Sequence, residues 1–401
     1  MPVKADIGAT GRFDEIRPYR DDEVKDVIAR LICDREFIDT LAQQKFKWLA
    51  DLLPWCIRPL IRGALKRALG RAGSVAEFQQ IVGVQLRRLL DRVADGVVFS
   101  GAEKLEHDRA YLFVSNHRDI AMDPAMVDLA LDEQGLATTR IAIGDNLLTK
   151  AFTSDLMRLN KSFIVKRSVT DRRQKLAALK DLSAYIQHSL EVDGESVWIA
   201  QREGRAKDGR DLTETALLKM LVLNKAKEQS FGEAFARLPI VPVAVSYEWD
   251  PCDAAKAREL YSLQATGVYE KGPHEDIESI YEGIFGYKGH IEVAFGRQLT
   301  EHFADAESAA RAIDRQIVDN YRLQGSHILA WQRLFGHSET VDRLKQKQVD
   351  IDWASKAQML DARLAQVPAA HRDLFLAAYA NPVQRWLDVN SDECPRDSGG
   401  T

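Results

Sequence analysis

Tyr111 to Leu131 reads YLFVSNHRDIAMDPAMVDLAL, and this stretch holds the transition on which the fold depends. YLFVS is a short, continuous apolar run of strand length, and AMVDLAL after Pro124 continues as a helix. Asp123-Pro124 reads as the helix start, because aspartate can cap and proline is favoured in the first helical position. Asn116 and His117 then fall in a short loop at the strand's carboxyl end, which is where open α/β sheets bind ligands.

The same alternation extends outward. TRIAIG (Thr139 to Gly144), SFIVKR (Ser162 to Arg167), VWIA (Val197 to Ala200), PIVPVAVSYE (Pro239 to Glu248) and IEVAF (Ile291 to Phe295) are further apolar runs, separated by periodic helical segments. Near-continuous apolar strands between helices imply an α/β fold whose sheet is covered on both faces. The pattern divides the chain into a helical N-terminal region over 1–99, an α/β domain over 100–300, a helical C-terminal extension over 301–389 and a disordered polar tail over 390–401. Residues from about 20 to 97 read as helices throughout, with Pro54 and Pro59 expected to break or kink one of them. Ser74 and Glu77 form a capping box for a helix running towards Val93. AESAARAIDRQIVDNYRL (Ala306 to Leu323) has the period of a packed helix, and two or three more are expected after it.

Composition narrows the function classes. The chain has 401 residues, 45% of them hydrophobic and 29% charged, and a formal charge of −5. These are values of a folded protein with no global basic field for nucleic acid. Four cysteines (Cys33, Cys56, Cys252, Cys394) without a Cys-x-x-Cys pair fit a reducing compartment rather than a disulfide or zinc framework. The opening residues lack the apolar core of a secretory signal, and no apolar run is long enough to span a bilayer. A cytoplasmic protein, with peripheral attachment to the inner face of the cell membrane left open, is the expectation.

Three stretches besides the first offer chemistry. In the first, a carboxylate hydrogen-bonded to one nitrogen of His117 would fix its tautomer and leave the other nitrogen to accept a hydroxyl proton. Asp123 and Asp119 are both within reach. The plainer alternative makes Asp123 a helix cap and His117 a turn residue. No second histidine lies nearby in sequence, so no metal is expected. Lys166 and Arg167 end a strand and would attract a phosphate, unless they form a solvated turn. In VWIAQREGRAKDGR, Glu203 sits among cations, Gly204 permits a turn or a close backbone approach, and Arg205 and Lys207 follow. Pro239 and Pro242 resist the middle of a ladder and suggest a sheet edge, a bulge or a pocket wall.

Taken in order, the four stretches resemble the glycerolipid acyltransferase family, over roughly residues 105 to 250. "NHRDIAMD" matches the family's histidine–aspartate block through His117 and Asp123. "FIVKR" matches its second block through Arg167, "QREGRAK" its Glu-Gly block through Glu203 and Gly204, and "IVPVAV" its proline-containing strand through Pro242. Five residues separate His117 from Asp123 where the family has four, which gives Asp119 a possible share of the role. Arg202 replaces a proline, and Ala206 stands where an arginine is expected, so that Arg205 would serve from one place earlier.

The resemblance implies a mixed sheet and transfer of a fatty acyl group from an acyl thioester, on coenzyme A or acyl carrier protein, to glycerol 3-phosphate or lysophosphatidate. His117 would be the general base and Asp123 its orienting partner. Arg167, Glu203, Gly204 and Arg205, with Lys166 and Lys207, would shape the acceptor and phosphate pocket. No cofactor and no nucleic acid is implied. Another lipid acceptor, neutral or amino-bearing, and a non-catalytic lipid-binding protein are the alternatives. Residues 45–70 interleave cations with Trp48, Trp55, Leu60 and Ile61, and contact with an anionic membrane through them predicts that these side chains are exposed.

Overall fold

A computed structural model describes residues 11–42, 54–272 and 275–391. The chain forms two compact units. One combines the described residues up to Arg88 with Thr139–Ser189, and the other combines Leu89–Thr138 with the residues from Leu190 onward. Within the described residues no helix is long and apolar enough to cross a membrane.

The second unit is built on five strands: β1 (Ala94–Ser100), β2 (Leu112–Ser115), β5 (Val197–Ala200), β6 (Ile240–Tyr247) and β7 (Gly289–Phe295). They lie in the order β1-β7-β6-β2-β5, parallel except for the β6–β7 pair, so the sheet is mixed. All four residues of β2 and all eight of β6 are buried, as their uninterrupted apolar sequence requires. Pro242 is therefore not at a sheet edge. It lies in buried β6 beside Val114 of β2, and the pairing with β7 begins only at Val243, so the missing N–H interrupts little. β1 begins inside the stretch read as helical, directly after the helix Val75–Val93.

Five helices follow β7: Ala306–Asn320, Gly325–Phe335, Glu339–Gln346, Trp353–Ala365 and Arg372–Ser391. That is more than the sequence pattern predicts. Two hydroxyls tie them to the sheet. Ser246 Oγ donates to the Arg322 carbonyl at 2.6 Å, and Ser326 Oγ donates to that of Glu248.

The first unit pairs β3 (Arg140–Gly144) with β4 (Ser162–Val165) in parallel. Its helices Asp21–Cys33, Pro54–Leu69 and Ala151–Leu159 pack around Val24, Val27, Leu31, Phe37, Phe78 and Leu159. The helix is described from Pro54 onward, and Pro59 stays inside it, at the cost of one backbone hydrogen bond. One arm of the capping box forms as read: Ser74 Oγ accepts from the Glu77 N–H at 3.2 Å, and the helix runs Val75–Val93. The Glu77 carboxylate accepts from the Gly73 N–H at 2.6 Å instead of from Ser74.

Lys288, in the second unit, is only 1% exposed. Its ammonium donates to the carbonyls of Ile284 (3.1 Å) and Gly286 (2.7 Å) at the end of the helix Glu275–Phe285. Burial lowers its pKa from 10.5 to about 8, against the opposing pull of Asp119 and Asp250. Between these two values the unfolded chain holds the proton and the folded chain does not, so stability from this group rises with pH across that window and is flat below it. Measured against Lys288→Met by urea unfolding, the parent chain should gain about 3 kcal/mol between the two ends of the window. An unchanged difference would contradict the assignment.

Candidate active site

The loop after β2 is pinned before it reaches its histidine. Asn116 is fully buried, and its side chain forms a two-point bond with the backbone of Val245 in β6. Its Nδ2 donates to the Val245 carbonyl at 2.9 Å, and its Oδ1 accepts from the Val245 N–H at 2.7 Å. Trp198 of β5 donates its indole N–H to Ser115 Oγ at 3.0 Å, and the His117 ring stands edge-on to that indole with centroids 5.8 Å apart. A polar staple on one strand and an aromatic wall on another thus fix the imidazole plane.

His117 Nδ1 lies 2.9 Å from Asp123 Oδ2. The same oxygen accepts from the backbone N–H groups of Arg118 (2.6 Å) and Asp119 (2.9 Å), so the loop wraps around the carboxylate. This wrapping accommodates the fifth intervening residue. Asp123 Oδ1 accepts from Tyr247 Oη at 2.9 Å. Burial and the Asp123 charge push the Tyr247 pKa well above its ordinary value, which keeps the phenol a donor. A fully buried carboxylate that accepts from Nδ1–H leaves Nε2 as the acceptor nitrogen. Nε2 makes no hydrogen bond with a described residue, and the His117 side chain is 14% exposed.

Asp123 is not the helix cap. The helix begins at Met122, two positions before Pro124, with Ala121 in the N-cap position. It is the Asp119 carboxylate that holds the entering turn. Its Oδ1 accepts from the N–H groups of Ala121 (2.9 Å) and Met122 (2.8 Å). Burial and Asp123 raise the pKa of Asp119. A side chain at Gly283 would collide with the Asp119 carboxylate, so glycine permits the helix Glu275–Phe285 to approach the loop.

Beneath the loop, Arg118 donates to Asp211 Oδ2 at 2.6 Å and to the Gly209 carbonyl at 3.2 Å, with its guanidinium over the Tyr321 ring. Burial opposes its charge, but Asp211 and the neighbouring groups outweigh it and the pKa is raised. Lys256 donates to the Arg118 carbonyl at 2.6 Å and is also paired with Asp250.

The segment after β5 meets this network through backbone. Ala206 N–H donates to the His117 carbonyl at 2.8 Å. Gly204 has φ +73°, a conformation that suits glycine. Gly209, at φ +75°, faces the Ala378 carbonyl oxygen where a side chain would collide. Glu203 is exposed, and its N–H donates to Glu214 Oε2 at 3.2 Å. Arg205 is half-buried, with Nη1 buried and without a hydrogen-bond partner. Lys207 is committed to an ion pair with Glu259. Lys166 and Arg167 belong to the first unit: Lys166 pairs with Glu15 at 2.5 Å, and Arg167 N–H donates to Asp145 Oδ1 at 3.0 Å.

The structure thus brings His117, Asp123 and Asp119 together in one loop and ties the segment that carries Glu203, Gly204, Arg205 and Lys207 to it through the Ala206 N–H. Sequence reasoning placed Asn116 in the loop without its role as a staple, and missed Tyr247, Asp211 and Lys256. Tyr247 closes the SYE end of the β6 run, where a polar residue after six apolar ones was the available signal. Among the described residues one cluster, Asp95, Glu248 and His290, has the composition of a metal site. Lys356 already occupies it as counter-charge, 2.8 Å from Glu248 Oε2.

A family model described as Acyltransferase matches residues 96–246. No curated protein matches the chain. Among solved structures, the crystal structure of the 1-acyl-sn-glycerophosphate (LPA) acyltransferase PlsC from Thermotoga maritima is 17% identical, with a TM-score of 0.34 over 71% of this chain and 95% of that one. The matched segment contains His117, its aspartate and the whole loop after β5, so the acyltransferase model and the motif resemblance fall on the same stretch of the chain.

Proposed function

We propose that the protein transfers a fatty acyl group from an acyl thioester to a hydroxyl of glycerol 3-phosphate or lysophosphatidate, with His117 as general base. The observation that supports this most is the Asp123 contact at Nδ1 together with an unbonded, accessible Nε2. In the proposed reaction the acceptor hydroxyl gives its proton to Nε2 as its oxygen attacks the thioester carbonyl. The tetrahedral intermediate collapses, the C–S bond breaks, and the imidazolium returns the proton to the leaving sulfur. Asp123 stabilises the transient imidazolium. The thioester is already activated, so direct attack suffices without an acyl-enzyme and without a cofactor. Buried Cys252 is a poor nucleophile: burial raises its thiol pKa to about 12, and it is bonded to the Ser279 carbonyl.

Arg205, with its unbonded Nη1, is the cation of the β5 loop offered to an acceptor phosphate. The resemblance adds Glu203, Gly204 and Arg167 to that role, and Pro242 to the pocket wall. A second reading, a neutral or amino-bearing lipid acceptor, is favoured by the pairing of Lys166 and Lys207 with carboxylates, which leaves fewer cations for a phosphate.

An acceptor panel decides between them. Purified protein is given long-chain acyl coenzyme A or acyl carrier protein with glycerol 3-phosphate, lysophosphatidate, a neutral hydroxylated lipid or an amino-lipid, and thiol release is followed. Release that depends on a phosphorylated acceptor, and that falls in Arg205→Gln and Arg167→Gln, is expected. Release with the neutral or amino-lipid alone would establish the second reading, and none with any acceptor would end both.

Peripheral contact of residues 45–70 with an anionic membrane belongs to the same proposal. Leu60 is 68% exposed, as that contact requires, whereas Ile61 is 8% exposed and packs in the core. Trp48 and the Trp55 side chain lie outside the described residues.

A further inference from the structure

Asp211 Oδ2 accepts from both sequence neighbours of His117. Arg118 donates to it at 2.6 Å, and Asn116 Nδ2 donates at 3.4 Å. The residue is 6% exposed, and burial raises its pKa against the pull of Arg118. Its other oxygen, Oδ1, is buried and has no hydrogen-bond partner among the described residues. Asp211 lines a cavity together with Ile317, Val318, Pro382 and Arg385. The centre of a water molecule has about 10 Å³ of space there, which suits one water and nothing larger. Arg385, on the helix Arg372–Ser391, faces Asp314, whose Oδ2 lies 3.6 Å from its Nη2. Asp314 is itself fixed, because its Oδ1 accepts from the Thr213 N–H at 2.8 Å. Arg385 Nε is buried and, like Asp211 Oδ1, has no hydrogen-bond partner among the described residues.

A carboxylate oxygen and a guanidinium N–H on one small cavity select its occupant. An anion would face Asp211 and a cation would face Arg385, whereas a neutral molecule that donates to one and accepts from the other suits both. We propose that one water molecule is held between Asp211 Oδ1 and Arg385 Nε, and that Asp211 is the positioning residue that grips the histidine loop on both sides of His117. With a donor on each oxygen, the carboxylate stays turned towards Arg118 and Asn116. Asp123 fixes the ring, and Asp211 fixes the loop that carries it. The consequence for rate rests on the acyl-transfer reading; the water and the loop geometry do not.

The test uses the full chain. A crystal structure at a resolution that shows ordered water should have one water within about 3.2 Å of both Asp211 Oδ1 and Arg385 Nε. Arg385→Met removes the donor, leaves the Arg118–Asp211 pair in place, and should release that water. Nitrogen-15 spectra of the histidine rings, with the His117 signals identified by their absence from His117→Ala, read the ring without substrate. The parent should give one sharp pair of His117 signals with the proton on Nδ1. Asp211→Asn should broaden or double them, and Arg385→Met should do so to a smaller degree. If Asp211→Asn does not fold, Arg385→Met decides alone. In acyl transfer, Asp211→Asn should lower kcat about tenfold, the size of one hydrogen bond to a charged group, at unchanged KM. A cavity without the water, His117 signals unchanged in Arg385→Met, or a higher KM at constant kcat would overturn the proposal. A parent chain without acyl transfer would end the functional reading instead, and the water and the ring signals would still decide this one.

Discussion

Replacing His117 with alanine is expected to lower kcat for acyl transfer by about 10³-fold, within the range general-base catalysis supplies. The fold should survive the change. Asp123 Oδ2 keeps its two backbone donors from Arg118 and Asp119, so removal of the ring strands no buried charge. Trp198 stays anchored on Ser115, and Asn116 on Val245. The side chain is partly open to solvent, so the cavity left is one that water can enter. The checks are steady-state kinetics with a saturating acyl thioester and thermal unfolding of the same preparation. A midpoint within a few degrees of the parent and a near-complete loss of turnover are expected together. Full activity would remove His117 from the mechanism.

Asp123→Asn tests the carboxylate separately from the ring, and its loss should lie between about 10²- and 10⁴-fold in kcat. An asparagine carbonyl can accept from the same three N–H donors, so ring position is retained while the negative charge facing the imidazolium is lost. KM should change little, because Asp123 is fully buried and does not reach an acceptor. Tyr247→Phe removes only the hydrogen bond to Oδ1, and its effect should be smaller, about tenfold, the size of one hydrogen bond to a charged group. A rise in KM with unchanged kcat for Asp123→Asn would show that the residue serves binding rather than proton transfer.

The parts that were legible in the sequence were local. Six strands announced themselves as unbroken apolar runs because they are buried. β1 did not, because it stands at the end of the five-strand order and offers only Val97, Val98 and Phe99 between polar neighbours directly after a helix. His117 and Asp123 could be paired on paper because six positions separate them, and a loop followed by one helical turn closes that gap. What escaped was long-range. Tyr247 reaches Asp123 across 124 positions, Asp211 reaches Arg118 across 93, and Lys256 reaches the Arg118 carbonyl across 138. The same holds for the lysines. Glu15, 151 positions before Lys166, and Glu259, 52 after Lys207, decide whether those cations are available, and no motif records either partner.

Gly209 has no room for a side chain because the carbonyl of Ala378 presses against it, and Asn381 donates to the Asp208 carbonyl at 2.6 Å from the same final helix. Arg118, in turn, holds the Gly209 carbonyl from the histidine loop. The last helix is thereby a brace for chemistry encoded some 260 positions upstream. Trimming this protein to the segment that the acyltransferase model matches would discard that brace, so a fragment that keeps the loop's geometry must extend well past residue 246.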